Sequence, residues 1–209
     1  MSQRNADTVV VLDFETSGLS PDMGDRAIEI GAVLIESGQI TDRFQQLINP
    51  GFRISGFIAD YTGITNAMLQ KAEKAQHVMP QFAEFIAGHN LVAHNASFDQ
   101  RFLDAELART RASYSGSFAC SMLLARRLYQ QAPNHKLGTL VEYKQLPTDG
   151  TYHRALADAE MTAYLWLQML QDIQGQYPIE QIPFSLLQKL AKKPKGQVSS
   201  VLQKFAKAS

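Results

Sequence analysis

Apolar residues fall along this chain in two periods, one suited to strands and the other to helices. Thr8-Val-Val-Val-Leu-Asp-Phe14 is short, rich in β-branched residues and followed by Ser17-Gly18, so it reads as a buried strand. Ala27 to Ile35 alternates through Ile28, Ile30 and Ala32; Ser37-Gly38 breaks the pattern before Gln39 to Ile48 resumes as a third strand, which predicts a hairpin. Asn49-Pro50-Gly51 ends this meander, and Leu91-Val-Ala-His94 reads as a further core strand. Helical spacing marks Asn66 to Ala72, Pro80 to Ala87 with proline near its start, Leu123 to Tyr129, Leu137 to Tyr143 and Arg154 to Leu170. Ser97 with Gln100 three residues on has the form of a capping box, opening a helix with Phe98, Phe102 and Leu103 on one stripe. Antiparallel strands first, then strands mixed with helices, predict a mixed α/β sheet. Gln174-Gly-Gln-Tyr-Pro178 and Ile182-Pro183 read as a linker, and Val198, Val201, Leu202 and Phe205 fall at the spacing of a short amphipathic helix.

The totals narrow the class. At 209 residues, 45% hydrophobic and 19% charged, the chain can bury one substantial core, and residues 1–173 are expected to form a domain with 174–209 as linker and tail. A lone Cys120 forms no internal disulfide, and the apolar run Thr8 to Leu12 is far too short for a signal h-region or a membrane span; both fit a soluble, cytoplasmic protein with no membrane partner. Net charge is zero, but Gln181 to Ser209 carries Lys189, Lys192, Lys193, Lys195, Lys204 and Lys207 with no acid, so the rest of the chain is correspondingly acidic. An acidic body suits nucleic acid only where carboxylates gather to hold cations that bridge to phosphate.

Candidate carboxylates stand at three places. Asp13 and Glu15 flank Phe14 at the end of the first strand, where positions i and i+2 share a face, so two acids converge while Phe14 points away. Such a pair repels unless a cation intervenes, and hard oxygen ligands suit Mg²⁺ or Mn²⁺. Asp99 falls in a first helical turn after His94-Asn95-Ala96-Ser97-Phe98, between a strand end and a helix start, where ligands bind in α/β sheets. His153 and Asp158 lie about 500° apart on a regular helix, so His153 is expected in the loop after Tyr152, free to act as a base near neutral pH, with Asp158 in the second helical turn.

Asp13-Phe-Glu-Thr-Ser-Gly-Leu19, His94-Asn-Ala-Ser-Phe-Asp99 and His153-Arg-Ala-Leu-Ala-Asp158, in that order, resemble the three motifs of the DnaQ-like, or DEDDh, 3′–5′ exonuclease family over Thr8 to Leu170. The resemblance implies an α/β, ribonuclease H-like fold: a mixed, mostly five-stranded sheet flanked by helices. It implies two divalent ions, Mg²⁺ or Mn²⁺, with Asp13, Glu15 and Asp158 holding one, Asp13 bridging to the other, Asp99 supporting the site and His153 taking a proton from the attacking water. Terminal phosphodiesters would be hydrolysed to nucleoside 5′-monophosphates. Phe14, Thr16, Gly18 and Leu19 would seat the terminal nucleotide, Leu19 wedging against bases, with Asn95 and Phe98 lining the same pocket.

The expected partner is a nucleic-acid 3′ end, single-stranded or frayed DNA ahead of RNA, in a polymerase III epsilon-like proofreading or repair role, with a polymerase or other protein reached through the tail. Thr62-Gly63-Ile64-Thr65 carries threonine where many proofreading subunits have histidine, as in polymerase-embedded proofreading domains and some RNA exonucleases of the family. An exoribonuclease of the same chemistry is the nearest alternative. A catalytically silent binding subunit is disfavoured by the intact set of four acids and His153, and a phosphatase by the fit of Leu19 and Phe98 to polymer bases.

Overall fold

The computed structural model describes residues 5–148, 150 and 153–208. In chain order the elements are β1 (Val9–Thr16), β2 (Ala27–Glu36), β3 (Gln39–Asn49), α1 (Gly56–Thr62), α2 (Asn66–Lys71), β4 (Glu73–Lys74), α3 (Ala75–Phe85), β5 (Asn90–Ala93), α4 (Ser97–Thr110), β6 (Phe118–Cys120), α5 (Ser121–Leu128), α6 (Leu137–Lys144), α7 (Ala155–Gln176), α8 (Phe184–Ala191) and α9 (Val198–Ala206).

The expected hairpin is present: β2 and β3 pair antiparallel with Glu36 opposite Gln39, and Ser37 and Gly38 both take left-handed backbone, as a two-residue turn requires. β1 lies antiparallel to β2 and parallel to β5, so the sheet is mixed. It has six strands in the order β4-β3-β2-β1-β5-β6 rather than five. The apolar pattern of the sequence marks four of these strands; β4 and β6, of two and three residues, are too short to show one.

β1 sits centrally and buries both faces. Val9 and Val11 face one layer, formed by α5, α7, α8 and α9 around the fully buried Trp166; Val10, Leu12 and Phe14 face the other, formed by α3 and α4 around Phe82 and Phe102. The period-2 alternation of the strand therefore sends Asp13 and Glu15 toward α7 at the end of β1. α7 can start directly on β2 because Gly31 leaves room: a Cβ there would collide with the backbone of Ala155 and Leu156.

Several boundaries depart from the sequence reading. α3 begins a turn earlier than expected and carries Pro80 in its interior, held by the buried stripe Ala75, Val78, Met79 and Phe82. Ser97 is the first helical residue of α4 rather than its cap. The cap is Ala96, because Asn95 at φ 71° turns the chain and its carbonyl already accepts from Phe98 N–H at 2.9 Å. Gln174 to Gln176, read as linker, form the last turn of α7. Beyond it α8 buries Phe184, Leu186, Leu187 and Leu190, and α9 buries Val198 and Leu202, all in the cluster that contains Trp166. The N-terminal segment closes the same layer: Ala6 N–H donates to the Ile182 carbonyl at 2.8 Å, and Trp166 Nε1–H donates to the Ala6 carbonyl at 2.7 Å. Among the described residues, no helix is long and apolar enough to cross a membrane.

Candidate active site

A cleft of about 950 Å³ opens at the ends of β1 and β5. It is lined by residues from all three sequence motifs, among them Asp13, Glu15, Leu19, Asn95, Asp99, His153 and Asp158. The ligand atoms of Glu15, His153 and Asp158 all lie within 4.8 Å of one another. Glu15 is 9% exposed and Asp99 2% exposed, whereas His153 is open to solvent.

Each side chain is placed by a local reason. Asp99, in the first turn of α4, accepts the Phe14 amide on Oδ1 at 3.2 Å, which locks α4 to the acid-bearing end of β1. Asp158 lies in the first turn of α7, not the second, because the helix starts at Ala155; its Oδ2 accepts the Arg154 amide at 3.2 Å and so caps its own helix. His153 precedes the helix as expected and takes left-handed backbone at φ 61°. The neighbouring Tyr152, from which the sequence hangs it, lies outside the described residues.

Electrostatics in the cleft are dominated by carboxylates close together in a dry setting. Burial pushes Asp13 well above the usual carboxylate range, with Asp99, Asp158, Glu15 and Glu29 adding repulsion. Burial likewise pushes Glu15 up to about 8, helped by Asp158, Glu29 and Asp99 and opposed by the Arg154 guanidinium. Asp99 rises to about 7 through burial, against the lowering effect of the amide bonds it accepts. Asp158 is raised by burial although His153 and the amides of His153 and Arg154 pull it down. Carboxylates this crowded ionise together at neutral pH only when a multivalent cation offsets their charge, so the donor set fits divalent metal ions.

The residues expected at the substrate pocket also line the cleft: Phe14, Thr16, Gly18, Leu19, Asn95 and Phe98. Their side chains do different things. The Phe14 ring is buried edge-on against Phe82 at 6.4 Å, and Thr16 Oγ donates to the Gly18 carbonyl at 2.6 Å. Gly18 has no space for a side chain, since the Asp25 carboxylate occupies it. Asp25 in turn accepts the Ser20 amide at 3.0 Å, holding the loop that presents Leu19, which is 79% exposed.

Sequence reasoning missed one wall of the cleft. α1 is capped by Ser55, whose Oγ accepts the Ile58 amide at 3.3 Å, and ends at Gly63 in left-handed backbone. It projects Phe57 and Tyr61, 74% and 53% exposed, and the Tyr61 ring centroid stands 4.0 Å from that of His153. These rings face outward, so no core periodicity announced the helix; the signal available was Ser55 followed seven residues later by Thr62-Gly63. His94, noted only as part of its motif, is a strut of the cleft. Its Nε2–H donates to the His135 carbonyl at 3.0 Å, leaving Nδ1 to accept from Ser121 Oγ at 2.9 Å, and burial lowers its pKa to about 4.

Comparison with known proteins identifies the family. A family model described as an exonuclease, RNase_T, matches residues 10–166. The chain is 40% identical over 165 residues to a DNA polymerase III PolC-type of Caldanaerobacter subterraneus subsp. tengcongensis, covering 79% of the chain and 12% of that protein. It is 36% identical over 190 residues to the 3′-5′ exonuclease DinG of Bacillus subtilis, covering 89% of the chain and 19% of that protein. The chain thus spans less than a fifth of the length of these relatives. Among solved structures, Exonuclease X in complex with 5′ overhanging duplex DNA superposes with TM-score 0.67 at 28% identity, covering 88% of this chain and 99% of that one. The nuclease domain of 3′hExo, a DEDDh family member bound to rAMP, gives TM-score 0.66 at 25% identity, covering 79% of this chain and 92% of that one. With its ribonuclease H-like sheet, solved neighbours that include a DEDDh family member, and a family match across three quarters of its length, this chain belongs to the RNase_T exonuclease family.

Proposed function

We propose that the chain removes nucleotides from the 3′ end of single-stranded or frayed DNA, releasing nucleoside 5′-monophosphates, in a proofreading or repair setting. The observation that carries this reading is the convergence of Glu15, His153 and Asp158 within 4.8 Å, in a cleft that also takes in Asp13 and Asp99. Asp13, Glu15, Asp99 and Asp158 would hold two divalent ions, Mg²⁺ or Mn²⁺. Such ions supply Lewis-acid activation of the nucleophile and charge stabilisation at the phosphate and the leaving 3′-oxygen.

The chain's own groups account for the remainder. His153, open to solvent and set beside the acids, takes the proton of the attacking water. Leu19, Phe57 and Tyr61 expose apolar surface around the cleft, suited to unstacked bases rather than to a small phosphate ester. The exposed Lys189, Lys192, Lys195, Lys204 and Lys207 offer phosphate contacts, or a surface for a polymerase, on the outer side of the C-terminal helices.

DNA is favoured because the relatives at 36–40% identity include a DNA polymerase III PolC-type and DinG, and because a structural neighbour holds duplex DNA. RNA is the second reading, supported by the neighbour bound to rAMP. Competition between DNA and RNA oligonucleotides of one sequence, read as the ratio of kcat/KM, tests the choice. A ratio above about tenfold for DNA supports the proposal, and the reverse preference replaces it with an exoribonuclease.

A further inference from the structure

We infer that Glu29 and Arg154 form a clamp that fixes the backbone between His153 and Asp158, which makes them positioning residues for the hydrolysis. The inference rests on the exonuclease reading of those two groups. Glu29 lies on β2 directly opposite Glu15 on β1, is fully buried, and faces the start of α7. Its Oε1 accepts from Arg154 Nη2 at 2.8 Å and from Gln45 Nε2 at 2.9 Å; its Oε2 accepts from Arg154 Nε at 3.1 Å and from the Ala155 amide at 3.1 Å.

The Ala155 bond gives the pair its particular use. A helix start leaves backbone N–H groups without intrahelical partners, and Arg154, the cap residue of α7, provides no side-chain cap. Asp158 serves the Arg154 amide and Glu29 serves the Ala155 amide, so the two acids between them tie down the first turn. Gly31, two residues along the same face of β2, lets the helix start come close enough for that bond, since any side chain there would strike Ala155 and Leu156.

The residue just before this clamp needs it most. His153 holds a left-handed backbone, a conformation that an ordinary residue keeps only when its surroundings fix it. Buried ion pairs seldom add net stability over an apolar pair of equal size; what Glu29 adds is a set of three hydrogen bonds, from Arg154 and the Ala155 amide, that ties the start of α7 to β2. The geometry thus fixed is that of the residue next to Arg154 and of the acid four residues further on. A misplacement of about 1 Å at a reacting group can cost on the order of a hundredfold in rate.

The test uses E29Q, R154Q and the double variant of the whole chain. Steady-state rates are read on 5′-labelled single-stranded DNA with Mg²⁺, and hydrogen exchange of the Ala155 amide is read by NMR in chelator. In each single variant kcat should fall about 10–100-fold with KM within about threefold, because positioning rather than binding is impaired. The double variant should be no slower than the worse single one, as expected for groups acting together. Ala155 exchange should speed up about tenfold while the amides of β5 keep their protection. Wild-type kcat in R154Q, losses that multiply in the double variant, or unchanged Ala155 exchange would overturn the inference. Should E29Q fail to fold, R154Q, whose side chain is partly exposed, applies the same criteria. An inactive wild-type protein would instead remove the exonuclease reading, an outcome that turnover by the wild type with unaffected variants does not resemble.

Discussion

Replacing Glu15 by Gln should make the metal-free protein more stable at alkaline pH while abolishing its response to divalent ions. Glu15 is 9% exposed, and its pKa is pushed from 4.5 up to about 8 by burial first and by Asp158, Glu29 and Asp99 next. A carboxyl whose folded pKa is raised binds more protons folded than unfolded. Its contribution to stability is therefore complete below about pH 4.5 and is lost as pH rises through about 8. At about 1.4 kcal/mol per pH unit, the loss by pH 8 has a ceiling of about 4–5 kcal/mol. Sharing of protons among coupled neighbours and the cost of burying a Gln amide bring the expected gain in E15Q to about 2–3 kcal/mol. For a chain of this size that is a rise in Tm of about 4–12 °C. Thermal melts by circular dichroism in chelator at pH 5 and pH 8 give the comparison directly. The variant should exceed wild type at pH 8 and lose most of that advantage at pH 5. Added Mn²⁺ should then raise wild type by mass action and leave E15Q nearly unmoved. Equal pH dependence of the two proteins, or a variant less stable than wild type at pH 8, would refute the picture of carboxylates crowded for a cation.

Other substitutions probe separate parts of the molecule. H153A should slow turnover by about two to four orders of magnitude while Mn²⁺ affinity by calorimetry stays within about threefold; a parallel loss of affinity would make His153 a ligand instead of a base. Converting Lys192, Lys195, Lys204 and Lys207 to Gln should flatten the salt dependence of single-strand binding, by about 0.7 in log–log slope for each phosphate that a lysine no longer neutralises, and an unchanged slope would return these lysines to solvent. L202A should cost about 2–5 kcal/mol, because Leu202 is 1% exposed within the Trp166 cluster; a melt within a degree of wild type would show that α9 does not pack there in solution.

The site was legible in the sequence where chemistry demands particular residues at fixed spacing. Asp13 and Glu15 had to share a face because a strand repeats every two residues, and the structure sends both toward α7 while Phe14 turns into the core. His153 had to precede its helix because five residues overshoot a helical face, and it does. Pairing over distance was not legible. Glu29 reads as one polar residue in an alternating strand, and nothing local says that it meets Arg154 across 125 residues. Nor does the segment after Phe118 advertise a strand, since three residues gain their partner only from β5. Phe57 and Tyr61 were hidden for the opposite reason: they serve the cleft from outside the core, where burial leaves no periodic trace. The proline and glycine near Gln174 to Ile182 suggested a linker, yet Ile179 and Ile182 are buried and lead into two helices that complete one face of the sheet.

The central claim is that acids drawn from β1, α4 and α7 act through divalent ions on the 3′ end of a strand. A 5′-labelled single-stranded oligonucleotide, incubated with wild type and D13N in Mg²⁺, Mn²⁺ or chelator and resolved on a sequencing gel, addresses it in one experiment. The expected result is a ladder shortening one nucleotide at a time from the 3′ end, with metal and wild type only. Release of the labelled 5′ nucleotide, internal cuts, or a ladder that persists in chelator or in D13N would contradict it.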